Sequence, residues 1–124
     1  MNLELKSIYL DDVVNDPEDL YDFNVPINIE VCEKGKKRSE LFHFVFSSPQ
    51  RLQHDISESV FQFMHGYILL AKFDWRAIHH SMETLIDRAR SGRNWKEVIA
   101  FLSRYGVYES KDLDKRPFPV NGAI

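Results

Sequence analysis

Between Leu10 and Asp22 stand six carboxylates, Asp11, Asp12, Asp16, Glu18, Asp19 and Asp22, with Pro17 among them and no basic side chain. Like charges held this close repel one another, so such a segment either lies fully solvated or faces a cationic partner. The other chemistry-bearing residues form no comparable group. The five histidines, His43, His54, His65, His79 and His80, never take metal-ligand spacing, and a metal site is not expected. His79 and His80 stand four and three residues before Glu83, an ordinary surface spacing on a helix and at the same time the only arrangement suited to general acid–base work. Cys32 has no CxxC partner and no histidine beside it, which makes it a small strand residue rather than a nucleophile. Gly35 and Gly66 each stand alone, so no glycine-rich phosphate loop exists, and no cofactor is expected.

The elements that must hold the carboxylates belong to a chain of 124 residues, 44% hydrophobic and 28% charged, enough for one domain with its own core. A net charge of −3 argues against nucleic-acid binding, which depends on basic residues displacing phosphate counterions. The compact basic run, Lys34 to Arg38, surrounds Gly35 between two strand patterns and reads as a solvated hairpin loop. No apolar run reaches the length of a membrane span, the opening residues alternate like a strand rather than a leader, and one unpaired cysteine suits a reducing cytosol. A cytoplasmic protein follows, with no membrane partner.

Alternation through Leu3, Leu5, Ile8 and Tyr9 predicts a first strand. Val25, Ile27, Ile29 and Val31 share one face of a second, with Asn24, Asn28 and Glu30 on the other, and Pro26 should sit near an edge or a bulge. Phe42, Phe44 and Phe46 line one face of a third. Ser48 and Pro49 open a short helix running to about His54. The apolar run from Gly66 to Phe73 reads as a buried central strand. Asp74 caps the longest helix, whose stripe is Trp75, Ile78, Met82, Leu85, Ile86 and Ala89, and Gly92 ends it. Asn94 and Glu97 form a capping box for a helix buried through Trp95, Val98, Ile99 and Leu102, and Gly106 supplies a left-handed stop. Val107 to Leu113 adds a last strand. Trp75 and Trp95 read as core anchors. Phe61 and Phe63 read as core, or as anchors for a partner if their polar link is exposed.

The expected fold is α+β: an antiparallel sheet of four to five strands, two main helices packed on one face and one short helix. Residues 1–114 form the single domain, and 115–124, with Pro117, Pro119 and Gly122, form a loosely held tail.

In order, Leu3-Glu4-Leu5-Lys6, Asp16-Pro17-Glu18-Asp19, Ser48-Pro49, the Tyr67-to-Asp74 segment, and Asn94-Trp95-Lys96-Glu97 through Leu102-Ser103-Arg104-Tyr105-Gly106 make a pattern. It resembles the immunity protein 8 family of bacterial polymorphic toxin systems over residues 3 to 113. The basic Lys34-to-Arg38 loop and the tail after Lys115 depart from it. The resemblance implies a cytoplasmic protein, not an enzyme, that binds and neutralises a toxin domain delivered by sibling cells. Joined to the acidic segment, it suggests a nuclease toxin, an RNase first, whose basic groove Asp11, Asp12, Asp16, Glu18, Asp19 and Asp22 would occlude, one monomer to one toxin. The competing readings are a small enzyme built on His79, His80 and Glu83, and an adaptor for a housekeeping partner.

Overall fold

One extra residue between Leu5 and Ile8 decides how the first strand joins the sheet. In β1 (Leu3–Leu10) the pairs Leu3/Leu5 and Ile8/Leu10 each keep the two-residue strand period but are out of phase with each other. A bulge between Leu5 and Ser7 brings them back into phase, so that Leu5, Ile8 and Leu10 lie opposite Val31, Ile29 and Ile27 of β2 (Asn24–Glu33). All four apolar residues thus reach one face. A computed structural model of the chain describes residues 1–10 and 16–110. Asp11, Asp12, the 111–113 end of the expected last strand and the 115–124 tail lie outside them.

β2 pairs along its length with β3 (Ser39–Ser47), placing Val25 opposite Phe46, Ile27 opposite Phe44 and Ile29 opposite Phe42. The hairpin closes where the Lys36 amide donates to the Glu33 carbonyl at 2.9 Å, with Gly35 at φ +80°, a conformation that favours glycine at this turn position. Pro26 is not on an edge strand, since β2 lies between two others. Among the described residues the pairing with β1 reaches as far as Ile27, the residue after Pro26.

The far edge of β3 is shared by two short strands: β4 (Tyr67–Leu69) lies parallel to Val45–Ser47, and β5 (Val107–Glu109) antiparallel to Leu41–His43. The expected buried central strand from Gly66 to Phe73 is therefore corrected to three paired residues at an edge, the last of them exposed. The helix α1 (Pro49–Ser59) is the physical reason for the direction: it carries the chain back along β3, so the strand after it must run parallel. α1 also runs five residues beyond His54, and none of its residues is buried.

Ser48 shows how tightly the end of β3 is fastened. Its hydroxyl accepts from the Arg51 amide as helix cap and from the Phe23 amide at 3.0 Å, while its own amide donates to the Phe23 carbonyl. α2 (Trp75–Ala89) begins at Asp74, which accepts from the Arg76 amide, and buries Ile78, Met82, Leu85, Ile86 and Ala89. α3 (Trp95–Leu102) begins at Asn94, which accepts from the Glu97 amide. The Glu97 carboxylate reaches back one residue further than a capping box requires, to the Arg93 amide and guanidinium. The buried faces of α2 and α3 join Phe42, Phe44 and Phe46 in one core on one side of the sheet. Trp75 and Trp95 are half-buried at its margin rather than inside it. Gly92 and Gly106 do not adopt positive φ, so neither is a left-handed stop. Gly106 is required for closeness: a Cβ there would stand 2.6 Å from two ring atoms of Phe44.

The opposite sheet face carries the polar alternates. Glu30 accepts from Ser39 at 3.0 Å and Ser7 at 3.1 Å and lies 3.7 Å from Lys6. The Ser39 bond foremost, with help from Ser7 and Lys6 and against the cost of burial, holds its carboxyl below 4.5. A depressed carboxyl stabilises the fold above its unfolded pKa and loses that contribution as pH falls through the folded one. Thermal unfolding should accordingly drop more steeply below pH 4.5 for the native protein than for Glu30→Gln, whose amide cannot titrate. Parallel curves for the two would contradict this role.

Candidate functional site: the braced acidic segment

Three contacts hold the described part of the acidic segment against the domain, and a fourth shapes it from within. The Asp16 carboxylate accepts from the Trp75 indole at 3.2 Å, at the start of α2. Asp19 closes a turn by accepting from the Tyr21 amide at 2.9 Å, a local bond that Asp makes readily. The Leu20 carbonyl accepts from the Phe73 amide at 2.7 Å. Asp22 pairs with Arg51 at 2.8 Å, in the first turn of α1. The segment is thus pinned between the starts of two helices, and Phe23, stacked edge-on to Phe73, anchors its end in the core.

These contacts also divide the carboxylates by role. Asp22 is neutralised by Arg51, and Asp16 is tied to Trp75. Glu18 and Asp19 remain exposed, with exposed Leu20 and Tyr21 beside them. Tyr21 is 57% exposed and carries Lys72 over its ring at 5.8 Å. The result is an aromatic residue among carboxylates on a braced backbone, a surface already ordered before any contact. Asp11 and Asp12 lie outside the described residues.

The other candidates do not converge. His79, His80 and Glu83 are exposed on α2, and no hydrogen bond or ion pair among the described residues joins them to the acidic segment. His80 instead lines an open groove of about 510 Å³ with Tyr67, Ile68, Leu85, Arg88 and Tyr105, whose floor is apolar. Among the described residues no three His, Cys, Asp or Glu side chains come together as a metal site. Cys32 is buried, and that burial first, then Glu4, raises its thiol pKa, which keeps it a poor nucleophile. In the basic run, Arg38 stays exposed while pairing with buried Glu40 at 2.7 Å and lying over the Trp95 ring.

Two polar groupings come together only in the fold. His43 joins Asn28 through Nδ1 and Glu109 through Nε2 at 3.4 Å, forming a polar row across β2, β3 and β5. Glu40 likewise accepts from Tyr108 at 2.7 Å. The first was partly legible, since a hairpin turning at Gly35 places residue 43 opposite residue 28. The strand at Val107 is legible as well, but its antiparallel pairing with β3, which brings Glu109 to His43 and Tyr108 to Glu40, has no local sign.

A family model described as immunity protein 8 matches residues 3–113, from the first residue of β1 to beyond β5. The chain belongs to the immunity protein 8 family. No curated protein and no solved structure matches it. As an immunity protein of a polymorphic toxin system it has a cognate toxin protein as its partner. The match spans the acidic segment, both main helices and the whole sheet, so the candidate surface lies inside the family domain. No helix among the described residues is long and apolar enough to cross a membrane.

Proposed function

We propose that this immunity protein inhibits a nuclease toxin, an RNase first, by laying the braced acidic segment over the basic groove in which the toxin holds phosphates. It acts in the cytoplasm as a stoichiometric inhibitor without turnover, one chain to one toxin domain. The single observation that carries the reading is the bracing: carboxylates left exposed on a backbone tied to both α1 and α2 are preorganised, whereas a merely solvated loop needs no such ties. Glu18 and Asp19 provide the exposed charge, and Tyr21 and Leu20 the apolar contact that charged interfaces need for slow release. Asp16 and Asp22 chiefly position the segment, and Asp11 and Asp12 extend its sequence.

The test is titration of the purified cognate toxin domain, the one encoded beside the immunity gene, with nuclease activity and binding heat recorded together. Activity should fall linearly to zero at one equivalent, and RNA substrate should compete with binding. Protection by far less than one equivalent, abolished by His80→Ala with binding intact, would instead establish an enzyme. Full binding without competition by RNA would place the interface beside the toxin's active site.

A further inference from the structure

Beyond the acidic segment, the surface carries a second feature that folding leaves uncovered. From Ser59 to Ala71 the chain has no Asp, Glu, Lys or Arg, although 28% of its residues are charged. Here the link after α1 exposes Val60 at 82%, Phe61 at 66%, Phe63 at 88% and Met64 at 43%. The link is held in place. Ser59 donates to the Phe61 carbonyl at 2.9 Å, the Phe61 and Phe63 rings meet edge to face, and His65 bonds the Gly106 carbonyl at 3.0 Å. Val60 turns the chain outward at φ +72°, a conformation costly for a β-branched residue. An ordered, uncharged ridge therefore projects from the domain. At ~200 Å² for each phenylalanine and less for Val60 and Met64, it presents roughly 500 Å² of apolar surface, near the top of what a monomer usually shows.

An open apolar groove lies on the same molecule. The 510 Å³ groove is floored by Tyr67, Ile68 and Leu85 and rimmed by Thr84, Arg88 and Tyr105. It begins at β4, directly after the ridge, so ridge and groove lie side by side. We propose that two copies of this chain pair through this face, each inserting Phe61 and Phe63 into the groove of the other. Adjacent convex and concave features are what a two-fold interface needs, because each copy then supplies what the other lacks. Two such contacts, each covering a ridge of roughly 500 Å² and a similar area of surrounding wall, total about 1,600 to 2,000 Å², the size of stable interfaces. A ridge without ionic groups also brings together two acidic chains where their charge is least. The acidic segment is braced at the starts of α1 and α2, whereas ridge and groove lie at the end of α1 and along the second half of α2, so pairing leaves both acidic segments open. This inference does not depend on the proposed toxin chemistry, and it replaces the monomer expected from the sequence.

Sedimentation equilibrium of the full chain tests it. The average mass should climb from 14.6 kDa towards twice that value as concentration approaches about 100 μM, and 1 M salt should not reverse the rise. Phe61→Lys with Phe63→Lys, and separately Thr84→Trp to fill the groove, should each raise the dissociation constant at least about hundredfold while melting like the native chain. A native chain that stays at 14.6 kDa throughout overturns the proposal, including the case where the lysine variant then loses toxin binding and the ridge proves to be a toxin contact. So does a lysine variant, or a folded Thr84→Trp variant, that pairs as tightly as the native chain. Where Thr84→Trp fails to fold, Tyr105→Ala, at the exposed rim, carries the groove arm under the same criterion.

Discussion

Phe44→Ala should lower stability by about 4 kcal/mol, and it should also abolish most of the penalty carried by Gly106→Ala. Phe44 is fully buried at the centre of β3, between the sheet and the helices, so its truncation removes both transfer energy and packing. Gly106 lies against the edge of that ring, where an added Cβ would come within 2.6 Å of two ring atoms and 3.0 Å of the His43 carbonyl. The ring cannot retreat into a filled core, so Gly106→Ala alone should cost about 3 kcal/mol. In the Phe44→Ala background the two nearest obstructing atoms are gone, and the His43 carbonyl at 3.0 Å stays. Urea unfolding of the four proteins in the cycle should show a coupling of about 2 kcal/mol. Additive costs would mean that the Phe44 ring is not the obstacle at position 106, leaving the His43 carbonyl as the close contact that matters.

That pair illustrates what the sequence discloses and what it hides. Two-residue alternation exposed β2 and β3 with their correct inward faces, and the three-to-four-residue stripe exposed α2 and α3, because each of these elements buries one continuous face on the core. Ser48, Asp74 and Asn94 cap where their side-chain chemistry says they should. Gly106 has the sequence position of a helix stop, the common use of a glycine after a helix. Its actual reason is a contact with Phe44, sixty-two residues away in the chain, which no local pattern reveals. The Gly66–Phe73 run departs from a central strand for a similar cause: Phe73 alone is fully in the core, Ile68 and Leu70 pack at its margin, and Tyr67 and Leu69 meet the groove and solvent. Phe61 and Phe63 belong to the same stretch, and composition alone cannot tell an inward phenylalanine from an outward one. For the candidate site, the charges of Asp16, Glu18, Asp19 and Asp22 were visible at once. Their division into bracing and exposed groups was not, because it depends on Arg51 and Trp75 arriving from elsewhere in the fold.

This division shows how to remove charge from the acidic segment without loosening it. Asp16→Asn keeps an oxygen for the Trp75 indole, Asp19→Asn keeps one for the Tyr21 amide, and Glu18→Lys reverses an exposed group. The Asp22–Arg51 pair stays intact. Exposed charges contribute little to stability, so the triple variant should melt within a degree or two of the native protein. Steering by the electrostatic field acts at a distance, and its loss should slow association with a basic toxin by about tenfold or more at low salt. The difference should shrink as salt rises, since the screening length falls from about 10 Å at 0.1 M to about 3 Å at 1 M. Dissociation should change less, because Leu20 and Tyr21 are untouched.

Stopped-flow association of the native and triple-variant proteins with the cognate toxin domain, across a salt series, is the most direct test of inhibition through the acidic segment. The account predicts a gap of at least about tenfold at low salt that closes towards 1 M, with matched melting curves. Equal association rates at low salt, with full inhibition of the toxin by the variant, would contradict it and leave the segment a braced but idle turn.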